Sequence, residues 1–196
     1  MKQLALSISP PPLPTLDNFV PGANAELVAR LRELRAGSFR ESVLYLWGEA
    51  GSGKTHLLRA CSGPHAVDDV EKLDDASQIG LFNAINAARQ SGGTVLAAGN
   101  APPAQLPLRE DLKSRLAWGL VYQLKPLCYE QRSEYLRAEA ARRGMQLPDE
   151  VISYLMTRMR RDLRSLTAVL DRIDQVSLEL KRPITLPLLR EAIKEE

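Results

Sequence analysis

Short apolar runs alternate with helical periodicities over the first two thirds of the chain. Three runs are rich in β-forming residues and too short to be free helices, namely Val43–Trp47, Thr94–Ala98 and Leu120–Leu124. Apolar residues at helical spacing predict helices over 24–34 with Asn24 as the cap, from His56 onward, over 81–89 and over 109–116. Strands that alternate with helices in this way predict an α/β fold, a parallel sheet with helices on both faces.

The pattern becomes purely helical after Pro126. Amphipathic stretches predict helices over 129–143, from Pro148 onward, over 163–173 and over 183–196. At the other end of the chain, the prolines of segment 9–14 lack backbone N–H donors and favour an extended arm. We therefore expect a flexible arm (1–14), an α/β domain (15–126) and a small all-α domain (127–196).

The charge is nearly balanced, with 26 Lys and Arg against 24 Asp and Glu and a net charge of +2 in 196 residues. This balance excludes a strongly basic nucleic-acid-binding protein, so any DNA contact is local or indirect. An aromatic fraction of 5% argues against an all-β sandwich. No apolar run approaches the roughly 20 residues that cross a bilayer, and the first eight residues are too short for a signal-peptide core. We expect a cytoplasmic protein without membrane contact.

The strongest chemical signal is the glycine-rich segment Gly48-Glu49-Ala50-Gly51-Ser52-Gly53-Lys54-Thr55, which fits the pattern G-x-x-x-x-G-K-[ST] in full. The segment lies between a predicted strand and a predicted helix, which is the context that gives the pattern its meaning. It predicts that backbone N–H groups hold a phosphate, that Lys54 neutralises the outer phosphates and that Thr55 binds Mg²⁺. The alternative is a glycine-rich loop with an incidental lysine.

Polar residues follow two of the predicted strands. In Val67-Asp68-Asp69-Val70, Asp68 would bind Mg²⁺ and Asp69 would orient an attacking water, although the pair could equally be a solvated helix cap. Asn100 follows the strand 94–98 and could reach the γ-phosphate, because ligands of such sheets bind at the carboxyl ends of strands. Its alternative role is to form a turn.

Arg115 precedes the last predicted strand, at the exposed edge of the α/β domain. An arginine in this place can reach the phosphate of a neighbouring subunit as an arginine finger, which also leaves a homo-oligomer open. The alternative is an ordinary surface arginine. In the helical domain, Arg158, Arg160, Arg161 and Arg164 form a local basic cluster, of which one member would face the nucleotide.

In this order the parts resemble the DnaA/Hda family of replication proteins over nearly the whole chain. The resemblance implies a P-loop AAA+ sheet followed by a small helical lid. Segment 15–24 is similar to the family's opening segment, which implies that Phe19, Val20, Pro21 and Gly22 line the adenine pocket. His56, directly after the glycine-rich loop, is a further expected nucleotide-binding residue. Segment 112–120 resembles the arginine-finger box and assigns the finger to Arg115. Segment 162–166 resembles the sensor 2 helix and implies that Arg164 touches the nucleotide.

The arm resembles the peptide with which Hda proteins bind the groove of the DNA polymerase III sliding clamp. Its anchors would be Gln3, Leu4, Leu6 and Ile8, held clear of the folded body by the prolines. A frayed terminus would give the same pattern. The chain ends at Glu196 without the helix-turn-helix domain of DnaA, so sequence-specific origin binding is not expected and DNA would be reached mainly through the clamp.

The resemblance implies ADP or ATP with Mg²⁺ as cofactor, and DnaA and the clamp as partners. The function it implies is inactivation of DnaA: hydrolysis of DnaA-bound ATP, promoted by Arg115 in trans. Two alternatives remain open. The chain could be an autonomous P-loop ATPase that uses its own Lys54, Thr55, Asp68 and Asp69, or a clamp-binding adaptor that needs no nucleotide.

One spacing departs from the family. Thr55 and Asp68 are 13 positions apart, whereas this fold places a helix, an edge strand and another helix between the two motifs, on the order of 40 residues. Either the edge strand is absent, or the sequence omits a segment. The second explanation is favoured slightly, because a joint this short must also cross the sheet.

Overall fold

The computed structural model describes residues 13–61, 66–158 and 162–194. These form two compact units, which divide after Pro126. The first unit contains the strands β1 (Val43–Trp47), β2 (Ala66–Val67), β3 (Val95–Gly99) and β4 (Leu120–Gln123) and the helices α1 (Ala25–Arg35), α2 (Lys54–Ala60), α3 (Asp75–Ser91) and α4 (Glu110–Leu116). The second contains α5 (Tyr129–Arg142), α6 (Asp149–Arg158), α7 (Leu163–Leu180) and α8 (Leu186–Lys194).

The four strands form a parallel sheet in the order β2-β3-β1-β4. The central strand β1 pairs with β3 on one side and with β4 on the other, so Tyr45 lies opposite both Ala97 and Val121. The three strands predicted from the sequence are present, with ends shifted by one residue in β3 and β4. Their carboxyl ends meet at one edge of the sheet, which is where the candidate site lies.

Alternate residues of the strands enter two separate cores. Val43 and Tyr45 of β1 belong to the core that contains residues of α3 and α4, whereas Leu44 and Leu46 belong to the core that contains residues of α1 and α2. All four side chains are fully buried. The prediction of an α/β fold with helices on both faces is therefore confirmed, and it explains why β1 is continuously apolar instead of alternating.

The predicted role of Asn24 as a helix cap is wrong. Its side chain makes no capping hydrogen bond to α1. Instead, Nδ2 donates to the carbonyl of Lys125 at 2.9 Å, and Oδ1 accepts from the Lys125 N–H at 2.8 Å. The buried amide thus satisfies the backbone of a residue 101 positions away and ties the start of α1 to the chain that follows β4.

Five residues of the sequence, 61–65, separate the end of α2 from the start of β2. In the described part of the sheet, β2 is the edge strand beside β3, and no strand lies beyond it. Strand β2 consists of two residues, paired with Leu96 and Ala97. The sheet therefore forms around β1 without the additional helix and edge strand expected from the family.

The helical unit has its own core. Its helices pack around fully buried leucine and isoleucine side chains, which include Leu136, Leu155, Leu166, Leu170 and Ile173. Asp162 begins α7 as a side-chain cap, because its carboxylate accepts hydrogen bonds from both the N–H and the hydroxyl of Ser165. None of the helices that the structure describes is both long and apolar enough to cross a membrane.

Gly119 is a point where two strands approach closely. A Cβ at this position would overlap the carbonyl oxygen of Val43 in the central strand. We expect Gly119→Ala to lower the free energy of unfolding of the α/β unit by about 2 kcal/mol, because neither backbone can move without disturbing the sheet. Gly80→Ala is the matched control. Nothing lies within 4 Å of its Cβ on α3, so alanine should raise the stability, by up to about 1 kcal/mol.

Urea unfolding followed by tryptophan fluorescence measures this difference. Both tryptophans of the chain, Trp47 and Trp118, lie in the α/β unit, so the signal reports on that unit. Equal midpoints for the Gly119→Ala and wild-type proteins would show that the close approach does not limit the fold.

Candidate nucleotide site

The glycine-rich loop 48–55 joins β1 to α2 through a backbone that glycine alone adopts without strain. Gly51 and Gly53 have φ angles of 80° and 104°, in the left-handed region that side chains disfavour. Gly48 is needed for a different reason. A Cβ there would lie 2.6 Å from the carbonyl oxygen of Leu124, which follows the neighbouring strand β4. The loop is thus shaped by both its own conformation and the sheet beside it.

The loop presents hydrogen-bond donors that have no acceptor in the part of the chain that the structure describes. The N–H of Ser52 bonds to the carbonyl of Glu49. No hydrogen bond is made within the described residues by the N–H groups of Gly51, Gly53, Lys54 and Thr55. The hydroxyl of Ser52 is also buried and unpaired there. A loop with several unpaired donors fits a phosphate group.

Lys54 is almost fully buried, with 9% of its surface exposed. Its Nζ donates to the carbonyls of Gly48 at 2.7 Å and Glu49 at 3.0 Å. The loop's own backbone therefore holds the ammonium group in place. Since an ammonium group has three donors, one remains for a phosphate oxygen.

Thr55 and Asp68 are brought together although they belong to different elements. The Thr55 hydroxyl donates to Asp68 Oδ2 at 2.5 Å, and Asp68 Oδ1 accepts from the N–H of Asp69. Hydroxyl and carboxylate oxygens are ligands that Mg²⁺ prefers. In the described residues no group of three or more His, Cys, Asp or Glu could hold a metal by itself. A Mg²⁺ ion here would take its other ligands from phosphate and water, as this ion usually does.

Asp69, predicted to orient a water, forms an exposed ion pair. It has a left-handed φ of 51°, and its carboxylate accepts a hydrogen bond from Lys72 Nζ at 2.6 Å. The hydrogen bond and charge of Asp69 raise the pKa of Lys72. The carboxylate that would orient a water is thus paired with a cation on the same turn.

Asn100 lies directly after β3, at the same edge of the sheet as the loop, and is exposed. Its backbone N–H donates to Glu71 Oε2 at 3.3 Å, and the hydroxyl of Tyr45 donates to the next carbonyl, that of Ala101, at 2.8 Å. Burial, together with the nearby charge of Glu71, raises the pKa of Tyr45 and keeps its hydroxyl a donor.

Sequence reasoning missed Glu71 and Tyr45. One signal was available for Tyr45, because a tyrosine in a fully buried strand requires a hydrogen-bond partner. Glu71 gave no such signal, since its position depends on the left-handed turn at Asp69.

The opening segment reaches the loop through Phe19. A Cβ at Gly53 would lie 2.8 Å from Phe19 Cε2, and the Phe19 ring lies 5.5 Å from the ring of His56 between centroids. His56 Nε2 is hydrogen bonded to the carbonyl of Thr15 at 2.9 Å. The three residues after Phe19, namely Val20, Pro21 and Gly22, are half-buried and lead into a short 3₁₀ turn before α1.

Arg115 is held away from the loop. Its guanidinium carbon lies 3.6 Å from the centroid of the Trp118 ring and 5.0 Å from that of Phe82, and its Nε donates to Asn86 Oδ1 at 2.9 Å. Among the described residues, its two terminal nitrogens have no hydrogen-bond or ion-pair partner. Stacking and one hydrogen bond thus fix the side chain without using its terminal nitrogens.

Several predicted residues cannot be placed in this geometry. Gln3, Leu4, Leu6 and Ile8 lie outside the described residues, as do Arg160 and Arg161. The backbone of Arg164 belongs to the first turn of α7, but its side chain is not among those described.

Comparison with known proteins identifies the family. The family model of the Hda lid domain matches residues 130–193. An uncharacterized protein of Haemophilus influenzae is 32% identical over 228 aligned positions, which cover 98% of both chains. Domain III of the replication initiation protein DnaA of Thermotoga maritima has a similar fold, with a TM-score of 0.76, 22% identity and coverage of 95% of this chain and 98% of that one. AMPPCP-bound DnaA of Aquifex aeolicus has a TM-score of 0.70 and 21% identity, with coverage of 82% of this chain and 64% of that one.

The alignment with the Haemophilus protein is longer than the chain itself. Because it spans 228 positions and the chain has 196 residues, at least 32 positions of the relative have no counterpart here. This number is comparable to the shortfall expected between Thr55 and Asp68. The lid match, the full-length relative and the fold together show that the chain belongs to the Hda/DnaA family of AAA+ proteins.

Proposed function

We propose that the α/β unit binds ADP or ATP with Mg²⁺. The loop N–H groups and Lys54 would hold the phosphates, and Thr55 with Asp68 would hold the metal, whose charge offsets that of the phosphates. Phe19 and His56 stand beside Gly53, where Phe19 to Gly22 would line the adenine pocket. The similar DnaA of Aquifex aeolicus, which is AMPPCP-bound, supports this assignment.

Lys54→Ala tests nucleotide binding. We expect at least a 30-fold loss of affinity for ADP with Mg²⁺, because a buried, preorganised charge-assisted hydrogen bond is removed (about 2 kcal/mol). Arg40→Ala is the matched control. It also removes one positive charge, but Arg40 is exposed and precedes β1, at the opposite end of the strand. Titration calorimetry measures both affinities, and equal affinities for the two variants would contradict the assignment.

We further propose that the chain inactivates the replication initiator DnaA by promoting hydrolysis of DnaA-bound ATP. The observation that carries this proposal is the state of Arg115. Stacking on Trp118 and one hydrogen bond to Asn86 fix the side chain, while its terminal nitrogens have no partner among the described residues. An arginine in this state is prepared to enter the nucleotide site of another protein and to stabilise charge in the transition state.

Asp69 favours a reaction on the partner over hydrolysis by the chain itself. Its carboxylate is paired with Lys72 in an exposed ion pair, which would have to open before Asp69 could orient an attacking water. The Thr55–Asp68 pair needs no such water to hold a nucleotide. Under this proposal the bound nucleotide stabilises the fold, and the chemistry belongs to DnaA.

Arg115→Ala should lower the stimulated hydrolysis of DnaA-bound ATP by on the order of 10³-fold or more. Binding of ADP by the variant itself should not change. Arg89→Ala is the control, because Arg89 lies over the same indole, 4.3 Å from its centroid, without the bond to Asn86. Phosphate release from preloaded DnaA is the measurement. Normal stimulation by Arg115→Ala would refute the finger assignment.

We propose that Gln3, Leu4, Leu6 and Ile8 bind the DNA polymerase III sliding clamp, which brings the chain to DNA. The net charge of +2 favours this indirect route over direct DNA binding by the body. The proposal places the protein in the cytoplasm, together with the replication machinery.

Removal of residues 1–8 should abolish clamp binding measured by surface plasmon resonance while leaving the affinity for ADP unchanged. A substitution of Leu4 and Leu6 by alanine should act in the same direction, because the apolar anchors supply most of the affinity for such a groove. Unchanged clamp binding by the shortened chain would overturn this part of the proposal.

A further inference from the structure

Two successive backbone groups after β3 are held by side chains from two other elements. The N–H of Asn100 donates to the carboxylate of Glu71, and the carbonyl of Ala101 accepts from the hydroxyl of Tyr45. We refer to Tyr45 and Glu71 together as the Tyr45–Glu71 pair. Neither residue belongs to the glycine-rich loop or to the metal-binding pair.

The strand end between these two bonds is enclosed. A Cβ at Gly99 would overlap the Tyr45 hydroxyl and would lie 3.0 Å from Val70 Cγ2 and 3.2 Å from Glu71 Oε2. Gly99 is fully buried, and so is Tyr45. The backbone that carries Asn100 therefore cannot shift unless Tyr45 or Glu71 shifts with it.

Both members of the Tyr45–Glu71 pair lie close in the chain to residues proposed to bind phosphate or metal. Tyr45 lies on β1, three residues before Gly48 begins the loop. Glu71 lies three residues after Asp68, in the middle of the 3₁₀ turn Val70–Lys72 that follows Asp69 and its left-handed φ of 51°. The backbone thus links the loop to Tyr45 and Asp68 to Glu71, and two hydrogen bonds link these side chains to the enclosed strand end that carries Asn100.

We propose that Tyr45 and Glu71 are positioning residues that hold Asn100 at the phosphate end of the site, so that the site distinguishes a nucleoside triphosphate from a diphosphate. This inference rests on the proposed nucleotide binding. Under this proposal Asn100 contacts only the terminal phosphate, so loss of its position should weaken triphosphate binding and leave diphosphate binding intact.

The two side chains allow conservative substitutions that separate positioning from folding. Tyr45→Phe keeps the ring in the core and removes only the hydroxyl. Glu71→Gln keeps an oxygen acceptor for the Asn100 N–H and removes the charge, whereas Glu71→Ala removes both. Glu41→Ala is the matched control for Glu71, because Glu41 is exposed and lies before β1, at the opposite end of the sheet.

The test is the ratio of the affinities for AMPPCP and ADP, both with Mg²⁺, measured by titration calorimetry. We expect Tyr45→Phe and Glu71→Ala to lower the preference for AMPPCP by about three- to tenfold, the effect of one lost hydrogen bond. Asn100→Ala should do the same, and adding Glu71→Ala to it should have no further effect. Glu71→Gln and Glu41→Ala should remain within about twofold of the wild type.

A second readout needs no nucleotide. In the free protein, the amide hydrogen of Asn100 should exchange with solvent faster in Glu71→Ala than in Glu71→Gln or the wild type. A merely structural role would weaken the binding of both nucleotides equally, and that result would overturn the inference.

An unchanged ratio in a protein that binds both nucleotides would also overturn it, while nucleotide binding would stand. If the wild-type protein bound neither nucleotide, the proposed nucleotide site would fail and the inference with it.

Discussion

Strand β1 constrains the rest of the α/β unit. Like β3, it has hydrogen-bonded neighbours on both sides in the described sheet. It also has helices over both faces, and it leads directly into the glycine-rich loop. Because β2, β3 and β4 run parallel to it, the residues that follow each strand meet at one edge. By this rule Asp68 lies beside Thr55 and Asn100 lies at the same end of the sheet, without any local sequence signal that links them.

The same constraint explains how the sheet tolerates a short joint after α2. An edge strand contributes hydrogen bonds to one neighbour only, so the loss of a strand beyond β2 leaves the pairing of β1 with β3 and β4 unchanged. Strand β2, with two residues, is the outermost strand of the described sheet. Asp68 follows it directly and lies beside Thr55.

The periodicity of the sequence was sufficient for the main strands, the helices and the loop, because each depends on residues close together in the chain. It was insufficient where a side chain has a distant partner. Asn24 has the composition of a helix cap, but its amide pairs with Lys125, 101 positions later. Glu71 reaches Asn100 only because Asp69 is left-handed. The contact of Arg115 with Trp118 lies between these two cases. The residues are only three positions apart, at and just after the end of α4, but the sequence alone did not indicate that they stack.

Nucleotide binding and catalysis are divided in this account between two proteins. The chain would hold its own nucleotide through Lys54, Thr55 and Asp68 and would lend Arg115 to DnaA. The most direct test is a single-turnover measurement of ATP preloaded on DnaA, with the wild-type chain and ADP, in the presence and absence of clamp loaded on DNA. The account predicts that phosphate release accelerates only when the chain and the loaded clamp are both present. The account would be contradicted if the chain without DnaA hydrolysed ATP at the same rate as the complete mixture. It would also be contradicted if phosphate release from DnaA were the same with and without the chain.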